Sequence, residues 1–215
     1  MRLCLISDTH EMHDQLVIPP CDVLIHAGDI TGKGAVRALA RFNLWVQDLL
    51  DAGTVKDAIY IAGNHDLTLD RARAMAVPLL TAGHYLDNSL VYVGPSPDKL
   101  LCIYGVPEQP EFQDWGFNVT EERLVELYDQ VPPDVDILVT HGPPKGVLDE
   151  NRQGVHCGSS ALLDWIDKHQ PRLVVCGHIH EGYGVALVGR TLVVNASTCT
   201  VAYKPTNQPI ILDLH

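Results

Sequence analysis

A buried strand and a pair of histidines meet in the stretch Leu173-Val174-Val175-Cys176-Gly177-His178-Ile179-His180. An apolar run without polar alternation is typical of a strand that is covered on both faces of a sheet. Two histidines at positions i and i+2 directly after such a run favour metal binding over a structural role. The stretch therefore predicts a metal site at the end of a buried strand.

Four further motifs follow apolar runs in the same way. They are Asp8-Thr9-His10, Gly28-Asp29, Gly63-Asn64-His65-Asp66 and Thr140-His141-Gly142. Because the loops at the carboxyl ends of strands converge on one rim of a sheet, we expect these residues to meet in one site. Besides His65 and Asp66, the five motifs supply two carboxylates, one amide and four imidazoles. This set can hold two divalent cations side by side, an arrangement that displaces groups at phosphorus.

Each motif taken alone has a simpler explanation. Asp8 and Asp29 could cap a turn or a helix, and Asn64-His65-Asp66 could form a turn without any catalytic role. All five motifs together, in order and after strands, are much more specific than any one of them. His65 is adjacent to Asn64 but points elsewhere, so it is a candidate for the acid that protonates a leaving oxygen, or for a donor to the phosphoryl group.

Strand-like runs alternate with helical patterns early in the chain and crowd together towards its end. Strands are expected at residues 2–7, 22–27, 58–62, 90–93, 99–104, 136–140, 172–176, 191–195 and 209–213. Helices are expected at residues 34–52, 120–130 and 159–169, with Thr120 as an N-cap. The order predicts an α/β protein with mixed sheets, and the length of 215 residues predicts a single domain over residues 1–215.

Composition limits the partners of the chain. With 15 basic and 27 acidic residues, the formal net charge is −12, which disfavours a long nucleic acid but not a small phosphate ester such as a nucleotide. We expect no membrane span, because no run of about 18 apolar residues occurs. The six cysteines form no CxxC pair, which favours a reducing cytoplasm. The oligomeric state is left open.

The five motifs, in this order, resemble the signature of the calcineurin-like metallophosphoesterase superfamily: DxH, GD, GNH(D/E), a lone H and GHxH. The similarity extends further in His141-Gly142-Pro143-Pro144, in residues 177–184, in Asn195-Ala196-Ser197-Thr198-Cys199-Thr200, in residues 114–118 and in Pro205-Thr206-Asn207. These stretches are similar to the metallophosphoesterase-domain-containing proteins known from animal brain, which relate to class III cyclic-nucleotide phosphodiesterases.

The resemblance implies a four-layer αββα sandwich, in which helices flank two mixed β-sheets. It also implies a first ion held by Asp8, His10, Asp29 and His180, and a second held by Asp29, Asn64, His141 and His178. Asp29 would then bridge the two ions, and His65 would be the catalytic acid or oxyanion donor. Protein-phosphatase members carry an Asp and an Arg soon after the GD motif, whereas residues 30–34 here read Ile-Thr-Gly-Lys-Gly. That departure disfavours a phosphoprotein substrate.

We therefore expect a phosphodiesterase that hydrolyses small phosphodiesters or cyclic nucleotides by attack of a metal-bridging hydroxide. A phosphomonoesterase or nuclease that uses the same site stays open. A non-catalytic metal-binding scaffold is disfavoured, because no motif histidine is missing. Ligands without cysteine favour manganese over a thiolate zinc site, with iron, nickel, cobalt, zinc and magnesium as alternatives.

Several aromatic residues outside the motifs have two interpretations each. His26 could support the metal ligands or be a core histidine, and His13 and His156 could touch substrate. The three tryptophans are expected in the core rather than on a platform for stacking nucleobases, and this alternative is kept open only for Trp115; they are Trp45, Trp115 and Trp165. The remaining histidines, which are expected at the surface or at helix caps, are His84, His169 and His215.

Overall fold

A computed structural model describes residues 1–214; His215 lies outside the described residues. In chain order the strands are β1 (Arg2–Ile6), β2 (Cys21–His26), β3 (Val55–Tyr60), β4 (His84–Tyr85), β5 (Ser89–Val93), β6 (Leu101–Val106), β7 (Gln109–Pro110), β8 (Asn118–Val119), β9 (Ile137–Thr140), β10 (Leu173–Cys176), β11 (Gly184–Val188), β12 (Thr191–Asn195) and β13 (Ile210–Asp213). The helices are α1 (Val36–Asp51), α2 (Leu67–Arg71), α3 (Arg73–Ala76), α4 (Glu121–Tyr128) and α5 (Ser160–His169). Single 3₁₀ turns cover His13–Gln15, Val77–Leu79 and His180–Gly182.

Both large sheets are mixed, as the sequence predicts. The five-stranded sheet has the order β13-β1-β2-β3-β4, in which only β13 runs antiparallel to its neighbour. The six-stranded sheet has the order β11-β12-β10-β9-β6-β5, with a parallel centre and an antiparallel strand at each edge. Strands β7 and β8 form a separate parallel pair.

Alternating side chains along the strands build three apolar cores, which lie between the layers of sheets and helices. In β1, Leu3 and Leu5 face the six-stranded sheet, where they join one core with β9 and β10. Cys4 and Ile6 point the other way and pack with Phe42 of α1 in a second core. A third core lies between the other face of the six-stranded sheet and helices α4 and α5. The layers are thus helix, sheet, sheet and helix, which confirms the expected αββα sandwich.

The two later helices begin at side chains that accept a backbone N–H. Thr120 Oγ1 accepts from the N–H of Arg123 at 3.3 Å, which confirms Thr120 as an N-cap. Ser159 Oγ accepts from the N–H of Leu162 at 3.1 Å. Helix α1 begins after Ala35 without a side-chain cap, so its position depends on the apolar face it buries rather than on capping.

The structure also contains elements that the sequence does not predict. Strands β4, β7 and β8 have two residues each, too few for a pattern to develop. Strand β11 lies at the edge of its sheet and alternates between half-buried and exposed residues, so it lacks the apolar run of a central strand. Helices α2 and α3 are single turns that close the segment after the Gly63-Asn64-His65-Asp66 motif.

All six cysteines are free thiols, and five of them are buried. Cys4, Cys102 and Cys176 lie within strands, where they pack as small apolar groups. No helix in residues 1–214 combines the length and the apolar character needed to cross a bilayer.

Candidate metal centre

The structure brings all seven expected metal ligands together at the carboxyl ends of strands from both sheets. Asp8 and His10 follow β1, Asp29 follows β2, Asn64 follows β3, His141 follows β9, and His178 and His180 follow β10. The backbone N–H of His178 donates to both carboxylate oxygens of Asp8, at 3.1 and 3.0 Å. The rims of the two sheets therefore meet directly at the centre. The roles of the seven residues as ligands stay predictions.

A first group of donor atoms is formed by Asp8, His10, His180 and Asp29. His180 Nε2 lies 3.3 Å from Asp8 Oδ1 and 3.3 Å from His10 Nε2. His10 Nε2 lies 3.7 Å from Asp29 Oδ2. These are the residues that the resemblance assigns to the first ion.

A second group is formed by Asp29, Asn64, His141 and His178. His141 Nε2 lies 3.4 Å from Asp29 Oδ1 and 3.0 Å from Asn64 Oδ1. Asn64 Oδ1 is also 2.8 Å from His178 Nδ1. Asp29 thus directs Oδ2 at the first group and Oδ1 at the second, as a bridging carboxylate would.

The chemistry of the donor atoms fits divalent cations. The Nδ1–H of His141 donates to the carbonyl oxygen of Ala27 at 2.9 Å, which leaves an unprotonated Nε2 facing Asn64 Oδ1. Two acceptors that face each other attract a cation between them. Ligands bound at about 2.1 Å and at right angles lie about 3 Å apart, which is the separation these donors have. Oxygen and nitrogen donors without sulfur suit such ions as manganese.

The turns that present the ligands use left-handed backbone. Asp8, His10, Asp29 and His178 have φ values of 51°, 43°, 57° and 64°. From their spacing in an extended or loop segment, Asp8 and His10 are expected to point the same way and to reach one ion. Both side chains reach the first group through left-handed turns. Such conformations are uncommon for residues other than glycine and concentrate at functional sites.

Two glycines allow the ligands to approach each other. A Cβ on Gly63 would overlap the backbone nitrogen and the Oδ1 atom of Asp29. A Cβ on Gly177 would overlap the carboxylate of Asp8 and the hydroxyl of Ser7. Each glycine is needed because a second motif passes where its side chain would be.

Asp66 connects two of the motifs, a role that sequence reasoning missed. Its carboxylate accepts backbone N–H groups from Ile30 at 3.1 Å, Thr31 at 2.8 Å and Gly63 at 2.9 Å. The loop after Asp29 is therefore tied to the loop that carries Asn64. The signal was present in the sequence, because Asp66 is the last residue of the Gly63-Asn64-His65-Asp66 motif.

Burial and neighbouring charges set the protonation of the ligands. Burial raises the pKa of Asp29 well above its usual range, and the charges of Asp8 and Asp66 raise it further. Burial opposes ionisation of Asp8 as well, yet the hydrogen bond and charge of His180 hold the pKa of Asp8 well below its usual range. Burial lowers the pKa of His10 and of His178 to about 3. Both imidazoles are therefore neutral at pH 7, as metal ligands must be.

His65 lies beside both groups of donors with one ring nitrogen fixed. Its Nδ1–H donates to the carbonyl oxygen of Gly32 at 2.6 Å. Its Nε2 lies 4.0 Å from Asp29 Oδ2 and faces the centre. One face of the ring stacks on Trp115, with centroids 4.1 Å apart and an interplanar angle of 21°. The rings of His10 and His65 make an edge-to-face contact, with centroids 4.6 Å apart.

A cavity of about 160 Å³ opens over the centre. Its lining comprises Asp29, Asn64, His65, Phe112, His178, His180, Glu181, Val201 and Tyr203. Phe112, His178 and Glu181 also line an adjacent groove of about 440 Å³. Sequence reasoning missed Phe112, Val201 and Tyr203, because no motif marks them and only the fold brings them to the cavity. It also gave no role to Glu181, although this residue directly follows the motif that ends at His180.

The other histidines have structural surroundings. His26 is buried, with Nε2 2.9 Å from Thr9 Oγ1, so it supports the loop between Asp8 and His10. His13 is buried against Phe42 and Trp45 and does not reach the cavity, so the suggestion that it touches substrate is wrong.

Three histidines lie farther from the donor groups. His156 Nδ1 lies 2.7 Å from Asp149 Oδ1, and the described cavity lining does not include it. His84 is exposed and pairs with Asp57 at 3.2 Å. His169 stacks on Trp165 in the last turn of α5.

Comparisons with known proteins agree with the motif-based resemblance. The family model for calcineurin-like phosphoesterases matches residues 1–182. Metallophosphoesterase domain-containing protein 1 of Homo sapiens is 41% identical over 241 residues, covering 99% of this chain and 71% of the relative. The Mus musculus protein of the same name gives the same values. A solved structure, TT1561 of Thermus thermophilus, aligns with a TM-score of 0.55 at 16% identity over 90% of this chain and 88% of that chain, which supports the fold.

Proposed function

This chain belongs to the calcineurin-like phosphoesterase family, and from that premise we propose that it is a phosphodiesterase with two divalent metal ions, preferentially manganese. Its substrates are small phosphodiesters, cyclic nucleotides among them. The observation that carries the proposal is Asp29, whose two carboxylate oxygens face two separate groups of nitrogen and oxygen donors. That arrangement provides for a pair of cations at one phosphoryl group.

The residues of the proposed site have two roles in hydrolysis, as metal ligands and as the acid. Asp8, His10, Asp29 and His180 would hold one ion, and Asp29, Asn64, His141 and His178 the other. When bound, the two ions supply Lewis-acid activation of water and of the phosphoryl oxygens. His65 keeps its Nδ1 proton on the carbonyl of Gly32, so Nε2 is the nitrogen that exchanges protons with substrate. As the P–O bond to the leaving group breaks and a P–O bond to the attacking water oxygen forms, the Nε2–H bond of the protonated His65 ring breaks and an O–H bond forms on the leaving oxygen. The neutral ring then takes up the proton that the attacking water has lost.

The surroundings of the centre support a diester over a monoester. Among the described residues, those that line the cavity include no lysine or arginine. A monoester dianion carries one more negative charge than a diester and would face Asp29 and Glu181 with no lysine or arginine beside them. The adjacent groove gives room for the second ester substituent, beside Phe112. The loop at residues 30–34 also lacks the arginine that protein-phosphatase members carry, so a phosphoprotein substrate is disfavoured.

A metal-reconstitution experiment tests the proposal. Protein depleted of metal is reloaded separately with manganese, iron, nickel, cobalt, zinc or magnesium, and bound ions are counted. Each form is assayed on a nitrophenyl monoester, a nitrophenyl diester, and 2′,3′- and 3′,5′-cyclic nucleotides. We expect two ions per chain, the highest kcat/KM with manganese, and a preference for diesters. A preference for the monoester would contradict the proposal, as would a single ion per chain.

We also propose that the protein acts on a small anionic substrate and resides in the cytoplasm. The formal net charge of −12 supports a small anionic substrate, attracted locally by bound cations, over a long nucleic acid. The six free thiols support a reducing compartment such as the cytoplasm.

A further inference from the structure

We propose that Trp115 is a positioning residue for His65: its indole holds the imidazole so that Nε2 faces the leaving oxygen. This inference rests on the proposed function, because it assumes that His65 acts as the acid. The sequence left two roles open for Trp115, core packing and stacking on a nucleobase, and the inference replaces both.

The contact between the two rings is close and nearly parallel. The centroids of His65 and Trp115 are 4.1 Å apart and the rings are inclined by 21°. Stacked aromatic pairs in this range are favourable beyond the area they bury. The indole covers one face of the imidazole, whose side chain is left 12% exposed.

Neighbouring residues fix Trp115 to the motif it supports. The N–H of Gly116 donates to the carbonyl oxygen of Asn64 at 3.0 Å, one residue before His65. A Cβ on Gly116 would lie 3.1 Å from that same oxygen, so the approach is close. Phe117 is buried in the core beside α1, and Arg71 Nη2 donates to the carbonyl of Asp114 at 3.2 Å. The backbone is therefore anchored on both sides of Trp115.

His65 needs this support because, apart from the ring contact with His10, few contacts orient its side chain. Its side chain has one hydrogen bond, from Nδ1 to Gly32, and its Nε2 lies 4.0 Å from Asp29 Oδ2, beyond hydrogen-bond distance. Without the indole, the ring could tilt about that single hydrogen bond, and Nε2 would leave the centre. Trp115 is not among the described residues that line the cavity, so it acts on substrate through His65.

The kinetic test compares two diesters whose leaving groups differ in basicity. Methyl 4-nitrophenyl phosphate releases a weakly basic oxygen that needs little protonation, whereas methyl phenyl phosphate releases a more basic one. With manganese-loaded protein, Trp115→Leu should lower kcat about tenfold on the phenyl ester and less than about threefold on the nitrophenyl ester. Trp115→Phe, which keeps a stacking ring, should restore most of the loss. Added to His65→Ala, Trp115→Leu should have no further effect.

The matched control is Trp45→Leu, because Trp45 is also half-buried and contacts a histidine, His13, at a ring distance of 5.1 Å. It should leave the ratio of the two rates unchanged. A readout independent of activity is the NMR spectrum: the indole ring current should shift the imidazole C–H resonances of His65, and Trp115→Leu should remove that shift.

Three results would overturn the inference. Trp115→Leu could lower kcat equally on both diesters, or lower kcat as much in the His65→Ala background as in the wild type. The third such result is an unchanged chemical shift of the His65 imidazole C–H resonances in Trp115→Leu. If the wild type hydrolysed neither diester, the proposed function would fail together with the inference. If the wild type were active and Trp115→Leu had no effect, only the inference would fail.

Discussion

Asp29 is the residue on which the two groups of donors depend. Each of its carboxylate oxygens faces a different group, and its Oδ1 also accepts the backbone N–H of His65 at 2.8 Å. We expect Asp29→Ala to remove both ions and to abolish turnover, because each ion loses a ligand. Metal analysis of the purified variant should show fewer than one ion per chain. Retention of two ions would contradict the bridging role.

His65 should behave differently from Asp29. His65→Ala leaves the predicted ligands intact, so the variant should still bind two ions. A positioned acid contributes about 10²–10⁴ in rate, and kcat on a diester with a basic leaving group should fall by that factor. Ion counts and kcat measured on the same preparation separate the two effects. Full activity on that diester would refute the assignment of His65 as the acid.

His13 gives the protein a pH-dependent stability. Burial lowers the pKa of His13 to about 4, whereas in the unfolded chain it titrates near 6.5. Between those values the unfolded state binds the additional proton, so the free energy of unfolding falls as pH falls. His13→Leu should remove up to about 1.4 kcal/mol per pH unit of that dependence between pH 6.5 and 4. Denaturant unfolding of the wild type and of His13→Leu across this pH range measures both dependences. If the free energy of unfolding changed with pH equally in the two proteins, the prediction would be wrong.

Gly177 shows how a strand end determines the site. A Cβ there would overlap Asp8 and Ser7, whereas a Cβ on Gly142 would meet Gln109 and Pro110 at 3.5 and 3.7 Å, which are ordinary contacts. Gly177→Ala should therefore weaken metal binding at least tenfold, because Asp8 must move. Gly142→Ala, also adjacent to a predicted ligand, should bind metal normally. Titration with manganese distinguishes the two, and equal affinities would contradict this account.

The elements that the sequence predicts are those with enough residues to form a pattern. The run before His178 is continuous and apolar, and β10 lies there. The site residues likewise follow from motifs at strand ends. Phe112 and Tyr203 could not be predicted, because they reach the cavity through irregular loops that no periodicity marks. The left-handed turns at Asp8 and His10 were also hidden, because tertiary contacts and not local propensity impose them.

Bound metal should stabilise the whole molecule. Asp8 and Asp29 are buried beside each other, and burial together with their mutual charge opposes the ionisation of Asp29. Cations relieve that repulsion only in the folded state. At an ion concentration about 100 times Kd, each bound ion adds about 2.7 kcal/mol, and one such ion corresponds to a rise in Tm of about 5–11 °C for a chain of this size.

Calorimetry with manganese and with a chelator measures the change. Asp29→Ala is the control, because it should respond to neither. If the Tm of the wild type were the same with manganese and with the chelator, the predicted metal centre would be contradicted.

The core between the two sheets has a consequence for metal selectivity. Each expected ion takes ligands that follow strands of both sheets, so the thickness of that core sets how far apart the two halves of each ligand set lie. Large and small cations prefer different distances to their ligands. Exchanging one aliphatic side chain for a bulkier one at Ile137 or Val175, which belong to this core and not to the ligand sets, is thus a way to change which metal the protein selects.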